Sequence, residues 1–246
     1  MTLAKETKLD DSAGIYAKRT KQTEREKLGD MTFKEKVAYF NMYYLKKVII
    51  SVCIAGILGY LIYQTVAPRP DELLNIAVVN DYFEQEKLND FLSDLNTHFE
   101  VEPGKEKITF DYSYYISDED MSQNSISSIQ KISTYVSAKQ IDVIISDEAY
   151  FKTLTEDGFL ISLSDLLPAD MYTELADKYY TGAIKDEDLK GNVSSGPQAP
   201  YGIYIDDSKL YKASGSAIEK PILGVVSNSP NKENTIELIK YLLGLE

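Results

Sequence analysis

The chain has 246 residues, a net charge of −13 and a hydrophobic fraction of 43%. It contains one histidine, His98, and one cysteine, Cys53. So few nitrogen and sulfur donors argue against a transition-metal site, and the acidic charge argues against nucleic acid as a partner. We expect no metal and no cofactor.

The charge is divided unevenly along the chain. Residues 1–47 carry 11 basic and 7 acidic side chains, a net charge of +4, whereas residues 67–246 carry 15 basic and 32 acidic ones, a net charge of −17. Residues 1–31 are polar, rich in lysine and poor in large apolar side chains, a composition typical of disordered segments. We predict a disordered cytoplasmic leader over residues 1–31.

A helix is predicted over residues 32–66. Thr32 and Glu35 have the spacing of a capping box, and apolar residues recur from there at helical intervals. Within this helix, residues 48–66 read VIISVCIAGILGYLIYQTV and carry no charge. A helix of that length spans about 28 Å, close to the hydrocarbon thickness of a bilayer. We therefore predict one membrane span at 48–66; a buried core helix is the alternative.

The lysines around this span predict its orientation. Lys34, Lys36, Lys46 and Lys47 precede the span, whereas only Arg69 follows it closely. Because cytoplasmic flanks carry the excess of basic residues, we expect a single-pass cell-membrane protein with a cytoplasmic N-terminus and an extracellular C-terminal domain. A signal peptide cleaved near residue 67 is the alternative, although the apolar run is long for one.

Residues 67–246 are predicted to form one extracytoplasmic α/β domain. Apolar runs and alternating residues predict strands at 73–79, 108–114, 141–145, 201–205 and 221–226. Helical spacing predicts helices over 88–99, 126–136, 149–157, 169–180 and 230–243, with Ser229 capping the last helix and Gly244 ending it. Residues 159–163 are expected to be extended and residues 185–200 to be a polar loop. The order β-α-β-α-β favours a mostly parallel sheet with flanking helices.

Two stretches of this domain resemble a known family. Residues 141–167 read IDVIISDEAYFKTLTEDGFLISLSDLL, and residues 222–244 read ILGVVSNSPNKENTIELIKYLLG. Both are similar to segments of bacterial extracellular solute-binding proteins. Residues 31–50 also resemble a juxtamembrane pattern in uncharacterised single-pass proteins of Gram-positive bacteria. The resemblance implies one lobe of a periplasmic-binding-protein-like fold. Only residues 168–200 occupy the place of the second lobe, so the chain departs from the two-lobed pattern.

Polar residues follow several of the predicted strands. In open α/β sheets, ligands bind beyond the carboxyl ends of the strands, where short polar side chains can also cap helices and shape turns. Tyr114, Tyr115, Tyr201 and Tyr204 could stack on a sugar or a peptide. The candidate ligand-binding residues are Asn80, Asp81, Ser117, Ser146, Asp147, Tyr201, Ser227 and Asn228.

Two functions fit this sequence. The first is a non-enzymatic module, anchored in the membrane, that binds or senses a small ligand or a peptide. The second is a structural or accessory subunit whose outer domain docks on another membrane protein. We find none of the short motifs of hydrolases, zinc proteases or nucleotide-binding proteins, so we expect no catalytic residues.

Overall fold

A computed structural model describes residues 31–66, 70–117, 122–187 and 193–245, together with residues 23, 28 and 29. The chain divides into two compact units, Met1–Ala67 and Pro68–Glu246. Nearly all of the predicted leader lies outside the described residues, so its predicted disorder stays a prediction.

Between residues 31 and 66, the first unit contains two helices, α1 (Phe33–Tyr43) and α2 (Leu45–Val66). The predicted capping box is confirmed, because the backbone N–H of Thr32 donates to Oε2 of Glu35 at 2.8 Å. The predicted single helix is interrupted at Tyr44, where the backbone has φ −118°.

Helix α2 contains the apolar stretch of the sequence. The segment Leu45–Thr65 is long and apolar enough to cross a membrane, and none of its most apolar part is buried inside the protein. That exposure disfavours the alternative of a buried core helix, because such a helix hides its apolar side chains. The direction in which α2 would cross a membrane stays a prediction.

The second unit is built from helices and strands that alternate along most of its length. Its strands are β1 (Asp71–Val79), β2 (Glu106–Tyr114), β3 (Val143–Ser146), β4 (Tyr179–Gly182), β5 (Lys185–Glu187), β6 (Val193–Ser195), β7 (Ala199–Tyr204) and β8 (Ile222–Val225). Its α-helices are α3 (Gln85–His98), α4 (Gln123–Ser137), α5 (Glu148–Glu156), α6 (Leu163–Leu166), α7 (Ala169–Glu174), α8 (Lys209–Ala213) and α9 (Lys232–Leu243). The predicted α/β class is confirmed.

Within the described residues, the main sheet has six strands in the order β2-β1-β3-β8-β7-β4. Strand β1 pairs in parallel with β2 and β3. The other three pairings, β3–β8, β8–β7 and β7–β4, are antiparallel. The sheet is therefore mixed, and the prediction of a mostly parallel sheet is wrong. The prediction rested on the β-α-β-α-β order of the first half, and that order ends at β3.

Both faces of the sheet are covered. On one face, Leu74 and Ile76 of β1 belong to an apolar cluster with side chains of α3 and α9. On the other face, Ala77 and Val79 belong to a cluster with side chains of α4 and α5. Alternate residues of β1 thus enter opposite cores, as the period of a strand requires.

Several predicted elements differ in the structure. The helix predicted at 169–180 is shorter, because Tyr179 and Tyr180 pair with β7 as strand β4. The predicted loop at 185–200 contains the hairpin of β5 and β6. Leu163, expected to be extended, begins α6. Gly244 ends α9 with φ +67°, as predicted. The N-cap position is Asn231 instead of Ser229, and the side chain of Asn231 makes no capping hydrogen bond.

Candidate functional site

Asn80 lies directly after β1 and connects three strands at the carboxyl edge of the parallel part of the sheet. Its backbone has φ +62°, a left-handed conformation that asparagine tolerates better than most residues. Its side chain donates from Nδ2 to Oδ2 of Asp147 at 3.1 Å and accepts at Oδ1 from the N–H of Ile116 at 2.8 Å. Asn80 therefore links the ends of β1, β2 and β3.

Asp147 lies directly after β3 and is the N-cap of α5. Its Oδ1 accepts a hydrogen bond from the backbone N–H of Tyr150 at 2.9 Å. The cap satisfies one of the donors that every helix leaves without an intrahelical partner. Because Oδ2 of Asp147 also accepts a hydrogen bond from Asn80, the side chain of Asp147 is held in one orientation at the carboxyl ends of the strands.

These two residues border a cavity of about 420 Å³ that opens to solvent. The size lies within the range of about 300–1,000 Å³ that small-molecule sites occupy. The cavity combines polar groups with two aromatic rings. Its lining residues are Asn80, Tyr115, Ile116, Ser117, Asp147, Ala149 and Tyr150.

The two tyrosines of the cavity differ in exposure. Tyr115 is 43% exposed, whereas Tyr150 is buried. Burial, with a smaller contribution from the negative charge of Asp157, raises the pKa of Tyr150 above its ordinary value. The phenol of Tyr150 therefore keeps its proton at neutral pH and can donate a hydrogen bond.

Three of the candidate residues, Asn80, Ser117 and Asp147, are brought together at this cavity. Ser146 is fully buried beside it, and its Oγ donates to the carbonyl of Asp147 at 3.0 Å. Ser146 therefore supports the turn into α5 and is not among the residues that line the cavity.

Asp81 follows Asn80 but is buried away from the cavity lining. Its Oδ1 accepts from the N–H groups of Tyr82 and Ala217, and its Oδ2 accepts from the hydroxyls of Tyr211 and Ser216. Burial, and then the charge of Asp81, raises the pKa of Tyr211 well above its ordinary value. Asp81 thus joins the loop after β1 to the segment before β8, a structural role.

Ser227 and Asn228 lie beyond the opposite ends of the strands, far from the carboxyl ends of β1 and β3. Strand β8 runs antiparallel to β3, so its carboxyl end lies beside Val143, the first residue of β3. Asn228 Nδ2 donates to the carbonyl of Val136 at 2.8 Å. The expectation that these residues lie at the same strand ends as Asn80 is wrong, because it assumed that β8 is parallel to β3.

Tyr201 is also outside the cavity lining. It is 7% exposed and belongs to the apolar cluster between the sheet and helices α4 and α5. Sequence reasoning missed Ile116, Ala149 and Tyr150 as lining residues. The sequence could have indicated Tyr150, because it lies three residues after the N-cap Asp147 and therefore in the first turn of the helix that begins beside the cavity.

No protein-family model, no curated protein and no solved structure matches the chain. The resemblance to bacterial extracellular solute-binding proteins therefore stays a prediction.

Proposed function

We propose that the chain is a membrane-anchored, non-enzymatic module that binds a small polar ligand or a peptide at the cavity bordered by Asn80 and Asp147. The observation that carries this proposal is the position of the cavity. It lies at the carboxyl ends of three neighbouring strands, two pairs of which are parallel, and open α/β sheets bind their ligands there.

The chemistry of the lining favours a ligand that carries hydrogen-bond donors. Asp147 offers carboxylate oxygens, and the exposed ring of Tyr115 offers a surface for stacking. Hydroxyl groups of a sugar, or the amine and amide groups of a peptide, fit this combination. The seven lining residues include no histidine, cysteine or lysine, which supports binding without a nucleophile or a general base of those types.

Anchoring and orientation belong to the same proposal. Helix α2 supplies one segment long and apolar enough to span a membrane. Lys46 and Lys47 at its start support a cytoplasmic N-terminus, which would place the Pro68–Glu246 unit outside the cell. Protease added to intact cells should then remove the C-terminal unit and leave the N-terminal residues intact; survival of the C-terminal unit would contradict this orientation.

The alternative function is docking on another membrane protein as an accessory subunit. Tyr82, Tyr112 and Tyr115 are 72%, 38% and 43% exposed. Tyr112 lies near the end of β2, and Tyr82 and Tyr115 follow the neighbouring strands β1 and β2. Protein interfaces are enriched in tyrosine, so this edge could contact a protein surface instead of a small ligand.

Thermal unfolding of the full chain in detergent separates the two functions. The probes are monosaccharides, amino acids and short peptides, each tested on the wild type, Ala149→Phe and Ala169→Phe. Both alanines are exposed in the first turn of a helix, but only Ala149 lines the cavity. We expect one probe to raise the Tm of the wild type and of Ala169→Phe but not of Ala149→Phe. A Tm shift that persists in Ala149→Phe, or no shift with any probe, would contradict ligand binding at the cavity.

A further inference from the structure

Strand β2 forms a long open edge of the main sheet. It has nine residues, and among the described residues it pairs only with β1. Strand β4 at the other edge has four residues. Proteins usually keep edge strands short or protect them, because the unpaired N–H and C=O groups can pair with another strand. The length of β2 therefore raises the question of what pairs with it.

The sequence of β2 is complementary to itself when it is read in the opposite direction. If two β2 strands pair antiparallel with Thr109 opposite Thr109, Lys107 of each copy stands opposite Asp111 of the other. The same register places Ile108 opposite Phe110. Opposite charges and apolar side chains that face each other across two strands both stabilise the pairing.

The structure places these residues suitably for such a contact. Lys107, Thr109 and Asp111 alternate along the strand and so share one face. The side chains of Lys107 and Asp111 are 48% and 26% exposed, and they are held on that face by Glu72 at 3.1 Å and by Lys131 at 2.8 Å. Each charge thus keeps a partner within its own chain and remains accessible at the edge.

The apolar pair lies on the other face. Ile108 and Phe110 pack against the cluster beneath α3 but remain partly exposed. A second strand would cover the exposed part. The register between β1 and β2 shifts between Lys107 and Ile108, where the extra residue Leu73 lies on β1, and it shifts again beyond Asp111. Residues 108–111 therefore form the regular part of the ladder, and β2 carries no extra residue between Lys107 and Asp111.

We propose that two copies of this chain associate by antiparallel pairing of their β2 strands about Thr109, which joins their sheets into one. The occupant of the edge is a second copy because the charges match in that register. This association does not depend on a ligand in the cavity, so it goes beyond the proposed function.

Disulfide cross-linking tests the register directly. The full chain in detergent carries Cys53→Ser together with either Thr109→Cys or Ser113→Cys. Directly opposite residues of antiparallel strands have Cα atoms about 4.5–5.5 Å apart, which suits a disulfide, whereas two copies of position 113 would be far apart. Under mild oxidation we expect Thr109→Cys to form the covalent dimer at least about tenfold faster than Ser113→Cys. Equal rates would overturn the proposal.

Charge reversal provides the second test. Lys107→Glu places two acids opposite each other, and Asp111→Lys places two lysines opposite each other, so each variant alone should lose dimer by about tenfold or more. An equimolar mixture should dimerise again, because each contact then joins opposite charges. Recovery in the mixture also shows that both variants are folded. Circular dichroism and thermal unfolding of each variant identify a folding defect independently. Two folded variants that dimerise alone as well as the wild type, or a mixture of folded variants that stays monomeric, would overturn the proposal.

Discussion

The side-chain amide of Asn80 donates to Oδ2 of Asp147 at 3.1 Å, although the two residues are 67 positions apart in the sequence. This contact joins the end of β1 to the start of α5 and shapes one side of the cavity. Because Asn80 also accepts from the N–H of Ile116, one side chain keeps the ends of three strands in place.

Replacing Asn80 should separate the contribution of its side chain from that of its backbone. Asn80→Gly and Asn80→Ala both lose the two hydrogen bonds. Only alanine must hold a β-carbon at φ +62°, which costs roughly 1–2 kcal/mol. We expect Asn80→Ala to be the less stable of the two by about 1 kcal/mol in chemical denaturation. Equal stability of the two variants would show that the left-handed backbone is not kept in the native state.

Gly202 and Gly224 should not tolerate a side chain. They are opposite each other on β7 and β8, and a β-carbon on either would overlap the ring of Phe151. We expect Gly202→Ala to lower the free energy of unfolding by about 1–3 kcal/mol. The smaller side chain of Phe151→Leu should recover part of that loss in the double variant, because the two positions are in contact. Strict additivity would contradict this packing.

The buried hydrogen bond between Tyr211 and Asp81 should contribute measurably to stability. Tyr211 Oη donates to Oδ2 of Asp81 at 3.1 Å, and both residues are buried. A hydrogen bond to a charged group contributes about 1.5–3 kcal/mol, so Tyr211→Phe should lower the free energy of unfolding by about that amount. Tyr241→Phe, on the partly exposed face of α9, is the control and should change it by less than about 0.5 kcal/mol.

The ion pair of Asp111 and Lys131 should give stability that depends on pH. Burial raises the pKa of Asp111, but hydrogen bonds from Lys131 and Ser113 outweigh it and lower that pKa from 3.8 to about 2. A carboxyl whose pKa is lower in the folded state than in the unfolded state stabilises the fold at pH values above its unfolded-state pKa. This stabilisation is lost as the pH falls through the folded-state pKa. The difference in unfolding free energy between wild type and Lys131→Met, about 0.5–1 kcal/mol near pH 6, should therefore shrink between pH 4 and pH 2. A difference that is constant over this range would contradict the assignment.

Most predictions that depended on one local pattern were correct, although the N-cap of α9 is Asn231 and not the predicted Ser229. The capping box at Thr32, the amphipathic spacing of α3 and α4, and the left-handed glycine at 244 each depend on a few neighbouring residues, and the structure has all of them. Strand direction is a long-range property instead. Nothing near Ile222–Val225 reveals that β8 runs antiparallel to β3, and for that reason Ser227 and Asn228 were assigned to the wrong edge.

The candidate site also combines residues that local sequence patterns predict with residues whose roles depend on long-range contacts. Asn80 and Asp147 could be selected because polar residues after buried strands mark the edge of an α/β sheet. The role of Asp81 could not be anticipated, because its partners Tyr211, Ser216 and Ala217 are at least 130 residues away in the sequence. Tyr201 is buried in the core because of its position in β7. Tyrosine occurs both in cores and at surfaces, so the residue type alone does not predict this burial.

A tryptophan at position 115 offers the most direct test of the cavity. The chain contains no tryptophan, so Tyr115→Trp introduces the only indole, at a lining position that is partly exposed. Tyr241→Trp on α9, on the other side of the sheet, is the matched reporter. In titrations of the full chain with the sugar, amino-acid and peptide probes, we predict a saturable fluorescence change at position 115 and none at position 241. No change at position 115 with any probe, or equal changes at both positions, would contradict a ligand site in the cavity that Asn80 and Asp147 border.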